Sequence, residues 1–150
     1  MSEATACKVH PSLILDDSRL LLVLISMFSD SPFSLQFLCL GVTPRKRWIE
    51  GGRIANVACP SLATELRDFL SDVSRLRGAA DELERASLVA KSSDDRYALN
   101  VATRACVLSN LTPELRCFWR QQAFLVTCCA VPWKYLESMY VSDCDDVYQY

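Results

Sequence analysis

A short polar segment between two apolar stretches most constrains the fold of this chain. Residues 87–91 and 97–101 are short, apolar and partly β-branched, and the turn-forming residues 92–96 separate them. This pattern predicts a β-hairpin. In its second strand Tyr97 and Leu99 alternate with smaller or polar residues, so we expect one face of the hairpin to lie on a core. Because two strands are marginally stable alone, helices must cover them.

The composition is typical of a single globular domain. The chain has 150 residues, of which 51% are apolar and 23% charged, and its net charge is -2. A chain of this size can bury a core without disulfides or metals. A weakly negative charge gives no general attraction to nucleic acid or to anionic membranes. We expect a flexible N-terminus at 1–15, one domain at 16–140 and a flexible tail at 141–150.

Apolar periodicity predicts helices on both sides of the hairpin. The predicted helices cover residues 18–28, 32–40, 61–78, 79–86, 102–109, 113–131 and 133–140. The first is apolar around nearly its whole circumference, so we expect it to be central. Residues 43–59 show no clear period and are expected to form a loop or a poor helix. The predicted fold is therefore mainly α, a winged-helix-like helical bundle with one β-hairpin at about 87–91 and 97–101.

The apolar residues 20–42 could be mistaken for a membrane span. Ser29, Asp30, Ser31 and Pro32 interrupt them, and each remaining piece is too short to cross a bilayer. The acidic residues before this segment also argue against a signal peptide. A buried pair of helices is the better interpretation.

The eight cysteines raise the question of disulfides or a metal site. The chain has no CxxC pair, and its one histidine is His10. A zinc site needs clustered ligands, so buried and reduced thiols are the favoured interpretation, with disulfides or metal as alternatives. The cysteines expected to lie among apolar helical residues are Cys39, Cys106, Cys117, Cys128 and Cys129. Reduced thiols imply a cytoplasmic protein.

The helix predicted at 113–131 carries a broad apolar arc. Such an arc exceeds what one small domain needs to cover, which favours a protein partner or a missing neighbouring domain on this helix. The expected interaction face consists of Leu115, Phe118, Trp119, Leu125 and Val126.

Nucleic-acid binding is the main alternative function. The helical residues 79–86 precede the hairpin and would be the recognition helix of a winged-helix nucleic-acid-binding protein. Three carboxylates, on Asp81, Glu82 and Glu84, would face the phosphates and be repelled. The basic residues 45–47 could bind phosphate or act in nuclear import, but a solvated loop is the commoner role of such a triplet.

Residues that could carry catalysis lack partners. Cys106 and the pair Asp94 and Asp95 have no nearby histidine and are better explained as a core thiol and a turn. We therefore expect no enzyme activity, no cofactor, no metal and no small-molecule substrate.

Several strings together resemble a known family. LLLVLISMF with SDSPFSLQFL, then LERASLVAK, YALNVATRACV and LTPELRCFWRQQAFLVTCCAVP, resemble the winged-helix segment of fungal STAND, or NLR-like, signalling ATPases. In those proteins an NB-ARC nucleotide-binding ATPase is joined to tetratricopeptide repeats. The resemblance covers residues 16–140 and implies a non-catalytic, regulatory relay between ATPase and repeats.

The resemblance also points to one position. A histidine at the end of the second wing strand senses the bound ADP phosphate in that family, and an imidazole suits this role because it donates a hydrogen bond and carries charge near neutral pH. The matching residues here are Val101, Ala102 and Thr103, with alanine in place of the histidine. The chain also has no Walker A motif, and no such repeats follow Tyr140. The resemblance thus implies a truncated or detached relay domain that neither binds nor hydrolyses ATP.

Overall fold

The computed structural model describes residues 16–28, 32–59 and 61–130. This part of the chain is mainly helical and contains two small antiparallel sheets. Its helices are Asp17–Ile25 (α1), Leu35–Leu40 (α2), Thr64–Ser71 (α3), Val73–Arg85 (α4), Val101–Asn110 (α5) and Pro113–Ala130 (α6). Its strands are Phe33–Ser34 (β1), Arg45–Ile49 (β2), Arg53–Val57 (β3), Val89–Lys91 (β4) and Arg96–Leu99 (β5). The predicted mainly α class is confirmed for these residues.

The predicted hairpin is present, but its strands cover Val89–Lys91 and Arg96–Leu99 rather than 87–91 and 97–101, because Asn100 caps the helix that begins at Val101. A third strand joins it. β4 and β5 pair antiparallel, with Val89 opposite Leu99 and Lys91 opposite Tyr97. β1 adds a third strand on the other side of β5, where the rings of Phe33 and Tyr97 stack with centroids 5.9 Å apart. The sheet therefore has the order β1-β5-β4.

The third strand corrects the helix start predicted at residues 31–32. Helix α2 begins three residues later, because the hydroxyl of Ser34 accepts a hydrogen bond from the N–H of Phe37 at 3.1 Å. This serine cap satisfies one of the free donors of the first turn. The residues before it are thereby released to pair with β5.

The prediction of a loop or a poor helix at 43–59 was wrong. β2 and β3 form a second hairpin, which we call the ribbon, with Trp48 opposite Ile54. Gly51 and Gly52 make the turn at φ of 80° and 72°, a conformation that glycine adopts without steric cost. The single predicted hairpin is therefore one of two in the described chain. The sequence did not predict β2 because its basic residues stand where a strand usually alternates apolar and polar residues.

Helix α1 supplies the centre of the core. The carboxylate of Asp16 caps it by accepting the N–H of Arg19 at 2.8 Å. It buries Leu20, Leu21, Leu24 and Ile25 and packs against α4 and α6. The helix ends at Ile25, before the predicted end at Phe28, and tighter backbone hydrogen bonds close its last turn.

The helices predicted at 61–78 and 79–86 meet at a different residue. The break lies at Asp72, whose carboxylate accepts the N–H groups of Ser74 and Arg75 at 3.0 and 3.1 Å. Gly78 lies exposed inside α4 and does not end a helix. An N-cap with two hydrogen bonds is a stronger local signal than an isolated glycine.

The last two described helices match their predicted bounds to within one residue. α6 packs against α1 and α2. The predicted helix at 133–140 and the termini expected to be flexible, at 1–15 and 141–150, lie outside the described residues. Within residues 16–28, 32–59 and 61–130, no helix combines the length and hydropathy that a bilayer crossing requires.

Candidate functional site

The inner side of α6 belongs to the core of this chain. The hydroxyl of Thr112 caps the helix by accepting the N–H of Leu115 at 3.3 Å, and Pro113 occupies the first turn. At 3.6 residues per turn, one side collects the buried residues. These are Trp119, Gln122, Ala123, Val126 and Ala130. Gln122 accepts the N–H of Ala63 at 2.8 Å, which fixes α6 to the segment before α3.

This burial corrects part of the expected interaction face. Trp119 is 2% exposed and Val126 is fully buried, so these two side chains fill the chain's own core. Leu115, Phe118 and Leu125 are half-buried; Leu115 lies one turn before Trp119 on the inner side, and Phe118 and Leu125 lie on one flank of the helix. The sequence pattern could not separate the two groups, because both belong to one continuous apolar arc.

The outer side of α6 carries an exposed stripe of one phenylalanine, two cysteines and one glutamine, which was not among the predicted interaction residues. Cys117, Gln121, Phe124 and Cys128 are all exposed and recur at the spacing of one helix face. Phe124 is 66% exposed at its centre. Together with the half-buried Phe118 and Leu125 beside them, these residues form what we call the outer face of α6. The signal in the sequence was a phenylalanine flanked by cysteines at i-7 and i+4.

The first turn of α6 is electrostatically favourable. The pKa of Glu114 is lowered, first by its own backbone N–H and then by the hydroxyl of Thr112, which both donate to the carboxylate. A negative charge at this end of the helix also favours the helix dipole. α6 is therefore stably capped and presents its outer face on a rigid element.

The position matched to a nucleotide sensor lies at the start of α5. Asn100 caps this helix by accepting the N–H of Ala102 at 2.9 Å. Val101 is 69% exposed, Ala102 is exposed and Thr103 is half-buried. α5 contains no buried residue and is attached by Arg104, whose Nε donates to the carbonyl of Ser26 at 3.0 Å. The three residues thus sit together on a weakly packed helix directly after β5.

A groove of about 490 Å³ lies beside this helix start. Glu84, Ser87, Ala90, Ala98 and Asn100 are among the residues that line it. Lys91 also lines the groove and is held by Asp95 at 2.7 Å. Hydrogen bonds from this lysine to Asp95 and then to Tyr97 raise its pKa.

The candidate catalytic residues lie on two different elements, Asp94 and Asp95 in a turn and Cys106 on α5. Asp94 and Asp95 lie in the turn between β4 and β5, as predicted. The Ser92 hydroxyl lowers the pKa of Asp94, and the Lys91 ammonium lowers that of Asp95, so both carboxylates are ionised at neutral pH. In the described ranges, no group of histidine, cysteine and acidic residues is arranged to hold a metal ion.

The thiols differ from the prediction that they are buried. Cys106, Cys117 and Cys128 are exposed, Cys39 and Cys129 are partly buried, and Cys59 is buried. All six are free thiols. Burial raises the pKa of Cys39, and burial together with the Cys59 thiol raises the pKa of Cys129 to about 11. The exposed thiols mark helix faces that the core does not cover. Cys7 and Cys144 lie outside the described residues.

The basic triplet is divided between two sides of the ribbon. Arg45 is buried, and Arg47 donates from Nη2 to the carbonyl of Cys129 at 3.2 Å. Lys46 is exposed. Asp81, Glu82 and Glu84 are exposed on α4, the helix that precedes the β4–β5 hairpin in the chain. A recognition helix at this position would need cations to contact phosphates.

Comparisons with known proteins assign no family to this chain. No protein-family model, no curated protein and no solved structure matches it.

Proposed function

We propose that this chain is a non-catalytic interaction module that docks another protein or a neighbouring domain through the outer face of α6. The single observation that carries the proposal is Phe124, which is 66% exposed between Cys117 and Cys128 on the outer side of α6. Burying such a ring contributes roughly 1.5–3 kcal/mol, so an exposed one is a strong anchor for a partner.

The neighbouring side chains support a preformed surface. The ring of Phe118 stands edge-on against that of buried Trp119, with centroids 5.6 Å apart. This contact fixes Phe118 against the core. A partner that covers the outer face of α6 therefore orders few side chains on binding, which favours affinity.

The arrangement of helices and hairpin supports the more specific proposal of a winged-helix-like relay. In the resembled ATPases the segment after the wing transmits nucleotide state, and here α5 follows β5 without burying a residue. Such a weakly packed helix can change position at low cost. Because Ala102 lacks an imidazole, the proposed relay acts without the phosphate contact of that family and without ATP hydrolysis.

A matched pair of variants tests the docking surface. Phe124→Asp places a charge at the centre of the outer face of α6, and Val73→Asp places the same charge at a residue of α4 that is 53% exposed. Tagged full chains are purified from cells of the source organism, and the co-purified proteins are quantified by mass spectrometry. We expect Phe124→Asp to lose a co-purified protein that the Val73→Asp control retains.

The stability of both variants is measured by thermal unfolding, so that a loss of binding is not confused with a loss of fold. Identical co-purified proteins for wild type and Phe124→Asp would contradict the proposed surface. If the purified chain bound labelled ATP at micromolar concentrations of the nucleotide, the proposal of a relay that binds no nucleotide would be contradicted.

A further inference from the structure

Two thiols meet between the end of the ribbon and the end of α6. Cys59 follows β3, belongs to the core and is 7% exposed. Cys129 lies in the last turn of α6, is partly buried and packs against the same core. The thiols of these two residues are in hydrogen-bonding contact. They are far apart in the sequence, so it is the fold that brings them together.

The backbone on both sides of this contact is held in place. Nη2 of Arg67 donates to the carbonyl of Cys59 at 2.7 Å, and Nη2 of Arg47 donates to the carbonyl of Cys129 at 3.2 Å. The hydrogen bond from the N–H of Ala63 to α6 ties this helix to the segment that follows Cys59. Hydrogen bonds from charged donors are stronger than neutral ones, so the two thiols are kept side by side.

We propose that Cys59 and Cys129 form an intramolecular disulfide when a low-molecular-weight disulfide, such as glutathione disulfide, oxidises the chain. A disulfide needs sulfur atoms about 2 Å apart and Cβ atoms about 3.8 Å apart, and two thiols already in contact reach this geometry by a small shift. The bond links the end of the ribbon to the last turn of α6. The pair is a redox-sensitive modification site that is separate from the outer face of α6.

The reaction consists of two thiol–disulfide exchanges. The thiolate of Cys129, the more accessible of the two, attacks one sulfur of glutathione disulfide. A mixed disulfide forms, the bond between the glutathione sulfurs breaks, and one glutathione thiolate leaves. The Cys59 thiol then loses its proton and attacks the sulfur of Cys129, which expels the second glutathione thiolate. The two cysteines lose two electrons in total, and the two glutathione thiolates take up the two protons.

The neighbouring Cys128 is the natural competitor for Cys129. Cys128 is exposed on the outer face of α6, whereas Cys129 contacts Cys59. Successive residues of a helix point about 100° apart and do not face each other. A bond from Cys128 to either cysteine of the pair would therefore require the last turn of α6 to unwind.

The full chain is reduced, equilibrated at several ratios of glutathione disulfide to glutathione, and alkylated to block the remaining thiols. Its peptides are then mapped by mass without reduction. We expect the wild type to give a peptide pair joined through Cys59 and Cys129. Cys128→Ser removes the adjacent thiol and should keep this linked pair, whereas Cys129→Ser should lose it.

The stability of the chain gives a second readout. The bond closes a loop of about 70 residues, and such a cross-link restricts the unfolded chain. Oxidation should therefore raise the thermal midpoint of the wild type by roughly 5–15 °C. The midpoint of Cys129→Ser should not respond to glutathione disulfide. Each protein is compared with itself, so an effect of the substitution on folding is not mistaken for loss of the bond.

The rate of bond formation should depend on pH. Burial, and then the contact with Cys59, raises the pKa of Cys129 to about 11. Because only the thiolate attacks a disulfide, the linked pair should form about tenfold faster at pH 8 than at pH 7 and about tenfold faster again at pH 9. Equal rates at these three pH values would contradict the role of Cys129 as the attacking thiol.

A disulfide from Cys59 or Cys129 to any other cysteine, in place of the bond between them, would overturn the proposal. So would a folded wild-type chain that keeps both residues as free thiols or glutathione adducts in excess glutathione disulfide. A linked chain with an unchanged or lowered thermal midpoint would also overturn it. Phe124→Asp should form the bond normally, which separates this site from the proposed docking surface.

Discussion

At the scale of single residues, burial decides what each aromatic side chain does. Trp119 is 2% exposed and fills the core, whereas Trp48 is 51% exposed on the ribbon. Phe37 is 1% exposed and Phe124 is 66% exposed. The same residue types therefore serve stability at one position and are available for binding at the other. Periodicity predicts which helix an aromatic residue belongs to, but not whether a neighbouring helix covers it.

Truncating two aromatic residues of α6 should have very different effects on stability. We expect Trp119→Ala to lower the free energy of unfolding by about 3–5 kcal/mol, because it leaves a cavity in the core. Phe124→Ala should change it by less than about 0.5 kcal/mol, because its ring is mostly in solvent. Urea unfolding followed by circular dichroism measures both. Equal losses in the two variants would mean that the inner and outer faces of α6 are assigned wrongly.

The pair formed by Asp17 and Arg75 should make stability depend on acid pH. The guanidinium of Arg75 donates to Asp17 at 2.6 and 2.9 Å and lowers the pKa of that carboxyl below 3.8. Because the folded pKa lies below the unfolded value, the stabilisation is complete above the unfolded pKa and is lost as the pH falls through the folded one. The pair is partly exposed, so the effect is small.

Asp17→Asn should therefore unfold more easily than wild type at pH 7 and lose less of its stability on acidification below about pH 4. Urea unfolding at a series of pH values measures the difference. Parallel curves for the two proteins at all pH values would show that this pair does not link α1 to α4.

At the scale of elements, the predicted parts are those whose signals are local. The β4–β5 hairpin and the bounds of α6 were predicted because turn residues, caps and apolar periodicity coincide there. β1 and the ribbon were missed. β1 is two residues long and exists only through pairing with β5, and β2 carries cations where an apolar alternation is expected. Non-local pairing of this kind leaves little trace in a single sequence.

Two glycines in helical surroundings should respond oppositely to alanine. A Cβ on Gly41 would lie 2.5 Å from Cγ1 and 2.8 Å from the carbonyl oxygen of Val126, so Gly41→Ala should separate α2 from α6 and cost about 1–3 kcal/mol. A Cβ on Gly78 meets nothing within 4 Å. Gly78→Ala lies inside α4 and should stabilise by roughly 0.5–1 kcal/mol, because alanine loses less entropy in a helix.

Thermal unfolding of both glycine variants shows whether each substitution raises or lowers the stability. A neutral Gly41→Ala would show that α2 and α6 are not packed as closely as described. A destabilising Gly78→Ala would show that α4 is interrupted at that glycine, as the sequence pattern had predicted, rather than at Asp72.

At the scale of the whole molecule, surfaces that the core does not use are spread over different elements. The outer face of α6 carries the exposed Phe124, and the ribbon exposes Trp48 and Ile54 side by side. The sequence predicted that the interaction face lies on α6, but it did not predict which side of α6 faces the solvent, because apolar residues occur on both sides. The exposed pair of Trp48 and Ile54 on the ribbon could not be predicted, because it depends on pairing these two residues across two strands. The sequence therefore predicted the fold class better than either of these surfaces.

The thiols provide the most direct measurement of the central claim, that the outer face of α6 is covered by a partner. Cys117 and Cys128 lie on this face, Cys106 lies exposed on α5, and Cys59 is buried. The free chain and its purified complex with the co-purified protein are labelled with maleimide, and the labelled cysteines are identified by peptide mass mapping. The complex used is the one that Phe124→Asp is expected not to form. In the free chain Cys106, Cys117 and Cys128 should react quickly and Cys59 only on unfolding. In the complex Cys117 and Cys128 should be protected, whereas equal labelling of both in the free and bound chain would contradict the proposed docking surface.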